Sequence, residues 1–443
     1  MTEPSYQESI DYLYSLSHSG IKLGLQNTAE VLKYFGDPQL KTATVHIAGT
    51  NGKGSTAAIT ESILTTADYK VGLYTSPHLL DFRERIQINR KKIEKVEVIE
   101  LVSLVKSVVE KLKIPITFFE FGTILAFLYF EEKNTDINII EVGLGGRLDA
   151  TNLCKANVSI ITSISQDHTQ YLGEDLLQIA FEKGSIIKEG GTLFANIKKY
   201  KAFEVVKNLA EQCSAEIFNL GKDFHINNNP KGERRNLFDF KNKAVALKNL
   251  SLPILGNFQR ENAALALSAC LKLRDLGLNI EESHLRKGLQ KVCWEGRLEM
   301  ISSNPAVVLD CAHNEESVKK MTLELRENIE FDRCLIVLAL MRDKNIDDLL
   351  KILSQFGDHF FLVSVNPPRG EDAKKLAAKL EKLNRPSQAF ETLSEVFQAV
   401  KQIAKKKDLI CITGSIFLIA EAKKYFNDEN NLFNSGNNSY PDR

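Results

Sequence analysis

A glycine-rich turn with a lysine stands in the stretch Thr44 to Thr56, whose sequence is TVHIAGTNGKGST. The pattern predicts a buried strand, then the turn, then a helix. Gly49, Gly52 and Gly54 would let backbone N–H groups come close to an anion, and the helix N-terminus adds partial positive charge. Lys53 adds a mobile cation beside them. The segment therefore predicts a phosphate-binding loop.

The spacing of this loop departs from the usual GxxxxGK[ST] pattern. Ile47 stands where the first glycine belongs. Gly54 separates Lys53 from Ser55, near which the helix is expected to start. A glycine-rich turn that binds nothing is the alternative interpretation. Because the loop by itself indicates phosphate and names no reaction, kinases, nucleotide-dependent switches and ligases all stay open.

Polar side chains follow three predicted buried strands, where ligands collect in doubly wound sheets. Glu141 ends the apolar run INIIE, and a carboxylate there is costly unless it is paired or bound to metal, which favours metal ligation. His168, after the strand Val158 to Ile164, shares this sheet edge, and a structural histidine is the alternative. Ser76, after the strand Val71 to Thr75, could give a hydroxyl to a metal or a phosphate; a simple Ser-Pro turn is the alternative.

Three further positions carry candidate chemistry. The aromatic rings of Phe118 to Phe121 open an apolar helix and could stack on a flat ring, although a core role is equally compatible. Lys183 lies just beyond a predicted helix, and its default interpretation is a solvated surface lysine. Asp310 and His313 follow the strand Ala306 to Leu309; the first could accept hydrogen bonds from a ribose, and the second could approach phosphates.

Two series of alternating strands and helices position these residues, which indicates two α/β domains, the first with a doubly wound, mostly parallel sheet. The first doubly wound series has strands at Thr44 to Gly49, Val71 to Thr75, Ile137 to Gly143, Val158 to Ile164 and Gly191 to Asn196. The second, smaller series has strands at Ala306 to Cys311, Cys334 to Leu340, Phe360 to Val365 and Leu409 to Thr413. Between them, the stretch from about Gly221 to Leu255 predicts an irregular or antiparallel appendage, and helical patterning resumes at Asn262.

Composition bounds the class of protein. At 443 residues the chain exceeds what one hydrophobic core usually organises, so two or three domains are expected. Hydrophobic residues make up 43% and charged residues 26%, which excludes a wholly disordered chain. Lysine plus arginine equals aspartate plus glutamate at 57 each, so no net field favours nucleic acid or a membrane surface. Seven cysteines without a CxxC pair, and an N-terminus without a signal-peptide pattern, predict a cytoplasmic protein.

Eight motifs in order resemble those of folylpolyglutamate synthase and its bacterial relatives with dihydrofolate synthase activity. They are GTNGKGS, TSPHL, TFFEFGT, EVGLGGRLDATN, the QDH of Gln166 to His168, the EGR of Glu295 to Arg297, DCAHN and TGSIFL. The resemblance implies a Mur-ligase-like fold with a P-loop ATPase domain over residues 1–293 and a smaller C-terminal α/β ligase domain over 298–426. The tail, residues 427–443, is expected to be disordered.

The resemblance also implies a reaction and its residues. An ATP- and Mg²⁺-dependent ligase would add L-glutamate to folates through an acyl phosphate, and the bacterial-like length favours activity on dihydropteroate as well. The residues assigned to ATP are Gly52, Lys53, Gly54, Ser55, Asn262, Arg297 and Asp310. The residues assigned to the pterin-bearing substrate are Thr117, Phe118, Phe119, Glu120, Leu148, Asp149 and Ala150. The residues assigned to Mg²⁺ are Ser76, Glu141, His168 and Lys183, and those assigned to catalysis are Lys53, Lys183 and His313.

Lys183 matches the family lysine that is carboxylated on its side chain, a change that turns a cation into a carbamate able to bind a second Mg²⁺. The family motif EKAGI reads EKGSI from Glu182 to Ile186 in this chain. The local backbone therefore departs from the family pattern, while the lysine itself is kept.

Two other functions remain as alternatives. A peptidoglycan-precursor ligase shares the loop and the chemistry, but only 48 residues precede Gly49, too few for the uridine-nucleotide-binding domain of such ligases. A non-ligating P-loop ATPase switch is the other alternative, and its ADP release would not depend on folate and glutamate together. A monomer is expected, since the site needs only the chain's own two domains.

Overall fold

The computed structural model describes residues 5–19, 24–167, 169–173, 175–228, 237–365 and 370–427. The chain divides into two compact units, the first of residues 1–253 and 258–293 and the second of residues 254–257 and 294–443. The expected disordered tail lies outside the described residues except for Asn427, which ends a helix. None of the helices in the described ranges is long and apolar enough to cross a membrane.

Fifteen α-helices run through the described part of the chain. Those from the first unit are α1 (Tyr6–Ser15), α2 (Gln26–Tyr34), α3 (Lys53–Thr66), α4 (Lys95–Leu112), α5 (Phe118–Glu132), α6 (Thr169–Leu172), α7 (Leu176–Gly184), α8 (Tyr200–Gln212), α9 (Asn257–Asp275) and α10 (Glu282–Lys291). Those from the second unit are α11 (Glu315–Asn328), α12 (Ile346–Ser354), α13 (Ala373–Lys382), α14 (Leu393–Ile403) and α15 (Ile416–Asn427).

An eight-stranded sheet forms the centre of the first unit. Its strands are β1 (Ala43–Ala48), β2 (Val71–Tyr74), β3 (Ile86–Ile88), β4 (Lys91–Lys92), β5 (Ile137–Glu141), β6 (Ala156–Ile161), β7 (Thr192–Ala195) and β8 (Glu216–Asn219). They lie in the order β4-β3-β2-β5-β1-β6-β7-β8, and all neighbours from β2 to β8 pair in parallel. The predicted doubly wound, mostly parallel sheet is confirmed. The antiparallel edge formed by β3 and β4 was not predicted, because so few residues leave no readable period.

The apolar sequences explain why these strands are central. Parallel strands covered by helices on both faces read as continuous hydrophobic runs, and β1 and β5 are such runs, with Val45 and Ile139 fully buried. Helix α5 is apolar on nearly every side and inserts Phe121, Phe127 and Phe130 into the core. The carboxyl ends of β1, β2, β5 and β6 therefore meet at one rigid edge, where the candidate residues follow.

The predicted appendage is a small antiparallel sheet. Its strands are β9 (His225–Asn228), β10 (Leu237–Lys241) and β11 (Ala246–Ser251), in the order β11-β10-β9. Helix α9 then begins at Asn257, five residues before the predicted Asn262.

The second unit has a six-stranded sheet. Its strands are β12 (Glu299–Ser303), β13 (Ala306–Asp310), β14 (Arg333–Leu338), β15 (His359–Val363), β16 (Ser387–Phe390) and β17 (Asp408–Thr413), in the order β12-β13-β17-β14-β15-β16. All pairs are parallel except β12 with β13. The four predicted strands are present, and the two edge strands, β12 and β16, are additional. Edge strands are only partly buried and so lack the continuous apolar run that identified the others.

Candidate active site

The glycine-rich turn between β1 and α3 has the backbone geometry that its sequence predicts. Gly52 caps α3 with φ +91°, in the left-handed region that favours glycine. A Cβ on Gly52 would lie 2.5 Å from Oδ1 of Asn262, and one on Gly49 would lie 1.9 Å from Oγ1 of Thr162. Only glycine fits at either position. Because Gly52 turns the chain so sharply, α3 begins at Lys53, two residues before the predicted Ser55.

Hydrogen bonds to the residues after β6 hold the turn in place. The Thr50 N–H donates to the Ser163 carbonyl (3.0 Å), and the Asn51 N–H donates to Ser163 Oγ (3.0 Å). The Thr162 hydroxyl donates to the Asn51 carbonyl (2.7 Å). Strand β6 ends at Ile161, before the predicted Ile164, and the hydroxyls of Thr162 and Ser163, which follow it, bind the turn.

Charge and hydroxyls gather at this turn. Lys53 Nζ donates to the carbonyls of Gly49 (3.1 Å) and Thr50 (3.3 Å), so its ammonium lies over the loop. Ser55 and Thr56 follow in the first turn of α3 and are buried, and Thr56 Oγ1 has no hydrogen-bond partner in the described part of the chain. The loop thus combines a mobile cation, hydroxyls and a helix N-terminus, the groups that bind phosphate.

Helix α9 places Asn262 against the loop. Asn262 Nδ2 donates to Oε1 of Gln259, one turn earlier on the same helix (3.0 Å), and both side chains are buried. Its Oδ1 therefore faces Gly52. The structure brings together two residues that the sequence assigned separately to ATP, and Gln259, which orients Asn262, was not predicted.

Glu141 and Ser76 meet at the ends of β5 and β2. The Ser76 N–H donates to Glu141 Oε2 (3.0 Å), and the Glu141 side chain is buried at 4% exposure. His168, the third predicted ligand, lies outside the described residues. No group of three or more His, Cys, Asp or Glu side chains in the described ranges has the arrangement of a metal site. The predicted Mg²⁺ ligands would not form such a group, because only two of them, Glu141 and His168, are of these residue types.

Lys183 is buried, so the default interpretation of a solvated surface lysine is wrong. It lies in the last turn of α7 at 4% exposure. The Arg147 N–H donates to the Glu182 carbonyl (2.9 Å), and the preceding residue, Gly146, lies against the backbone of Glu182 and Lys183. Burial, and next the charge of Lys53, lower the pKa of Lys183 to about 7, while Asp167 and other acids oppose the shift. A lysine with such a pKa is partly a neutral amine near neutral pH.

The loop from Gly143 to Thr151 is shaped by the carboxylate of Asp149. This carboxylate accepts hydrogen bonds from the N–H groups of Leu144 (2.8 Å) and Thr151 (3.0 Å), and from the Thr151 hydroxyl. Burial raises its pKa, and these bonds oppose the shift. Thr151 also contacts Nε2 of the buried His46 (2.9 Å). Asp149 therefore fixes the loop that carries the half-buried Leu148 and the buried Ala150.

Thr117 and Glu120 form the capping box that starts α5. The Thr117 N–H donates to Glu120 Oε2 (2.8 Å), and the Glu120 N–H donates to Thr117 Oγ1 (3.3 Å). The half-buried Phe119 lies against Gly143, where a Cβ would stand 2.4 Å from its ring. The capping box thus sets the position of the aromatic pair, Phe118 and Phe119, which lies between its two polar residues.

A cation and aromatic rings surround Phe118, a group that the sequence did not reveal. Tyr14 stacks on the Phe118 ring at 5.6 Å between centroids, and the Arg85 guanidinium lies 5.0 Å from the same ring. Arg85 Nε donates to His78 Nδ1 (2.8 Å), and burial and the charge of Arg85 lower the pKa of His78 to about 4. His78 stands within the TSPHL motif, which was its only sequence signal. The group offers flat faces beside a buried positive charge.

In the second unit, Asp310 organises the turn that carries Arg297. Asp310 accepts hydrogen bonds from the N–H groups of Leu298 (2.8 Å) and Ala312 (2.9 Å). Burial raises its pKa, and the charge of Arg297 opposes the shift. His313 Nδ1 contacts the Cys311 carbonyl (2.8 Å). Because a carbonyl only accepts, Nδ1 carries the proton in this bond.

Comparisons with known proteins give matches in both units of the chain. Residues 47–270 match the Mur ligase middle domain, and residues 296–416 match the Mur ligase, glutamate ligase domain. A dihydrofolate synthase/folylpolyglutamate synthase of Bacillus subtilis is 34% identical over 429 residues, covering 95% of this chain and 99% of that protein.

Solved structures extend the likeness over both units. Escherichia coli FolC in complex with DHPP and ADP has a TM-score of 0.87 at 29% identity, covering 96% of this chain and 99% of that one. A bifunctional folylpolyglutamate synthase/dihydrofolate synthase from Yersinia pestis, complexed with AMPPNP and Mn ion, has a TM-score of 0.85 at 29% identity, covering 96% and 99%.

Proposed function

We propose that this chain, which belongs to the dihydrofolate synthase/folylpolyglutamate synthase family of Mur ligases, adds L-glutamate to folates in an ATP-dependent reaction. The observation that carries the proposal is the phosphate loop, whose Gly52 is fitted against Asn262 and whose Lys53 ammonium lies over the turn. In a chain related to these ligases along 95% of its length, such a loop serves ATP.

The reaction proceeds in two steps. A folate carboxylate oxygen attacks the γ-phosphorus of ATP, and the bond to the bridging oxygen breaks, so ADP leaves. The glutamate amine then attacks the acyl phosphate, loses a proton and displaces inorganic phosphate as the amide forms. Lys53 and the N–H groups of the loop neutralise charge on the transferred phosphoryl group, since phosphoryl transfer depends on positioning and electrostatic stabilisation.

ATP and a divalent metal ion are the cofactors, and we propose that the metal is Mg²⁺. The buried Glu141 carboxylate stands at a strand end with Ser76, and oxygen ligands of this kind suit a hard cation. His168 is proposed as a further ligand. Mg²⁺ held there would neutralise phosphate charge.

We propose that Lys183 is carboxylated and contributes to a second Mg²⁺ site. The neutral amine attacks CO₂, an N–C bond forms and a proton leaves. The lowered pKa of Lys183, about 7, supports this, because it supplies the neutral amine without strongly basic conditions. A carbamate on Lys183 would also replace a buried ammonium, which the charge of Lys53 repels, with a negative charge, which Lys53 attracts.

The pterin-bearing substrate is proposed to lie against Thr117 to Glu120 and Leu148 to Ala150. The stacked rings of Tyr14 and Phe118 offer a surface that suits a flat heterocycle. The other predicted roles, Arg297 and Asp310 with ATP and His313 in catalysis, stay proposals, as do activity on dihydropteroate, the monomeric state and cytoplasmic residence. Neither the peptidoglycan-precursor ligase nor the ATPase switch is favoured by a feature of the described residues.

An isotope experiment tests the acyl-phosphate chemistry. Folate labelled with ¹⁸O in its terminal carboxyl group is turned over with ATP and glutamate, and the inorganic phosphate is analysed by mass. Transfer of one ¹⁸O to phosphate is expected, because the attacking carboxylate oxygen leaves with phosphate. Unlabelled phosphate, released at the same rate as ADP, would contradict the mechanism.

A further inference from the structure

A buried lysine in the last helix, α15, forms ion pairs with the segment that carries Arg297. We propose that Lys423, in α15, is a positioning residue for Arg297, acting through Glu295 and Glu299. The inference rests on the proposed function, because Arg297 matters only if it serves ATP. Lys423 belongs to none of the groups assigned above to ATP, metal or substrate.

The contacts of Lys423 are charge pairs on two sides of Arg297. Its Nζ lies 2.8 Å from Glu295 Oε2, and 2.9 and 3.2 Å from the two oxygens of Glu299. The lysine side chain is only 6% exposed. Lysine is almost never buried without partners, and here both partners flank Arg297 at two residues' distance.

Glu299 also binds the backbone next to Arg297. Its Oε2 also accepts the Gly296 N–H (2.7 Å), and the Gly296 carbonyl accepts the Cys311 N–H (3.0 Å). On the other side of Arg297, the Leu298 N–H donates to Asp310. The residues on both sides of Arg297 are thus tied to fixed elements of the second unit.

The backbone held in this way has an unusual conformation. Gly296 has φ +68°, and Leu298 has φ +46°, a value that a branched side chain rarely adopts. Such a conformation persists only where the surroundings determine it, and this kind of strain concentrates at functional sites. The Lys423 contacts are therefore placed to keep the direction of the Arg297 side chain.

Removing the Lys423 charge would leave the carboxylates of Glu295 and Glu299 without the cation that lies between them. Without the ammonium, two carboxylates would face one another across a partly buried site, and like charges repel. Glu299 would then be drawn away from Gly296, and the turn would be released. Lys424, the next residue, is exposed on the same helix and gives a matched control.

A double-mutant cycle tests the inference. The variants are Lys423→Met, Lys423→Arg, Lys424→Met, Arg297→Ala and Arg297→Ala with Lys423→Met, compared by kcat and KM for ATP at a temperature where melting shows each to be folded. Lys423→Met is expected to lower kcat/KM for ATP on the order of tenfold to a hundredfold, the effect of a small misplacement. Lys423→Arg should recover most of it, and Lys424→Met should equal the wild type.

The cycle separates positioning from general stability. In the Arg297→Ala background, Lys423→Met should cause no further loss, because the group it positions is gone. If the losses of kcat/KM in the two single variants multiply in the double variant, the inference is overturned. A Lys423→Met variant with wild-type kinetics would also overturn it. If Lys423→Met does not fold, Glu295→Gln takes its place in the cycle, since it weakens the same cluster from its exposed side.

Failure of the proposed function would look different. A wild-type protein whose ADP release ignores folate would contradict the ligase, whereas binding of a fluorescent ATP analogue to the same variants still reports on Arg297. Loss of affinity in both Arg297→Ala and Lys423→Met, again without addition in the double variant, supports the inference. Unchanged affinity and turnover in Arg297→Ala would overturn it.

Discussion

The charge of Lys53 acts on the buried amine of Lys183 and, after burial itself, is the largest influence that lowers its pKa, to about 7. Lys53 belongs to the phosphate loop and Lys183 to the end of α7. The repulsion between two neighbouring cations is relieved when an anion lies near them or when one of them loses its charge. This relationship leads to two predictions about Lys183.

The first concerns stability and pH. The pKa of Lys183 is 10.5 in the unfolded chain and about 7 in the folded one, so between these values the unfolded chain binds more protons and stability rises with pH. Below the folded pKa the full cost of burial is present. In CO₂-free buffer, Lys183→Met should therefore be more stable than the wild type by on the order of a few kcal/mol near pH 6.

The difference should shrink toward about pH 10, where the unfolded lysine also loses its proton. Urea unfolding across this range measures it, and Lys201→Met, at an exposed position on α8, is the control without a pH-dependent difference. A Lys183→Met variant no more stable than the wild type at low pH would contradict the burial argument.

The second prediction concerns carboxylation. Adding ¹³C-labelled bicarbonate should give a carbamate signal by ¹³C NMR in the wild type and none in Lys183→Ala. The same variant should lose ligase activity, and short-chain carboxylates should restore part of it, because they can fill the space and supply the missing oxygens. Undiminished activity in Lys183→Ala would exclude the role.

The close fit of Gly52 gives a third prediction. Gly52 and Gly190 both have positive φ, +91° and +62°, but a Cβ at Gly190 meets nothing within 4 Å. Gly190→Ala should lower the free energy of unfolding by about 1 kcal/mol, the cost of backbone strain alone. Gly52→Ala should cost about 2 kcal/mol or more, because it also crowds Asn262, and it should impair turnover with ATP. Equal costs with unchanged turnover would show that the loop tolerates a side chain.

Glu141 gives a fourth prediction, about metal. Glu141→Gln keeps an oxygen that can accept the Ser76 N–H and removes the charge, so the fold should be retained. The Mg²⁺ concentration for half-maximal ADP release should rise by about tenfold or more, as expected for a weakened metal site. Glu100→Gln, exposed on α4, is the control. The same Mg²⁺ dependence in both variants would remove Glu141 from the metal site.

The features that could be predicted from the sequence are those that a local pattern encodes. The phosphate loop could be predicted because its glycines, lysine and flanking apolar strand are adjacent in sequence, and the central strands because burial on both faces gives continuous apolar runs. The antiparallel pair β3 and β4 escaped, since strands of three and two residues have no readable period.

Contacts distant in sequence could not be predicted in the same way. The burial of Lys183 depends on the loop around Arg147 folding over α7, and the stacking of Tyr14 on Phe118 joins residues of α1 and α5. Lys423 lies in α15 and Glu299 at the start of β12, far apart in sequence, and no local pattern around Lys423 records their contact.

The most direct test of the central claim is ADP release by the purified protein with ATP, Mg²⁺ and glutamate, with dihydropteroate or tetrahydrofolate as the acceptor and product masses measured. We expect release only when acceptor and glutamate are both present, with each acceptor gaining one glutamate residue, and almost none from Lys53→Ala. ADP release that continues without an acceptor, or acceptors of unchanged mass, would contradict the assignment of this chain as a folate–glutamate ligase.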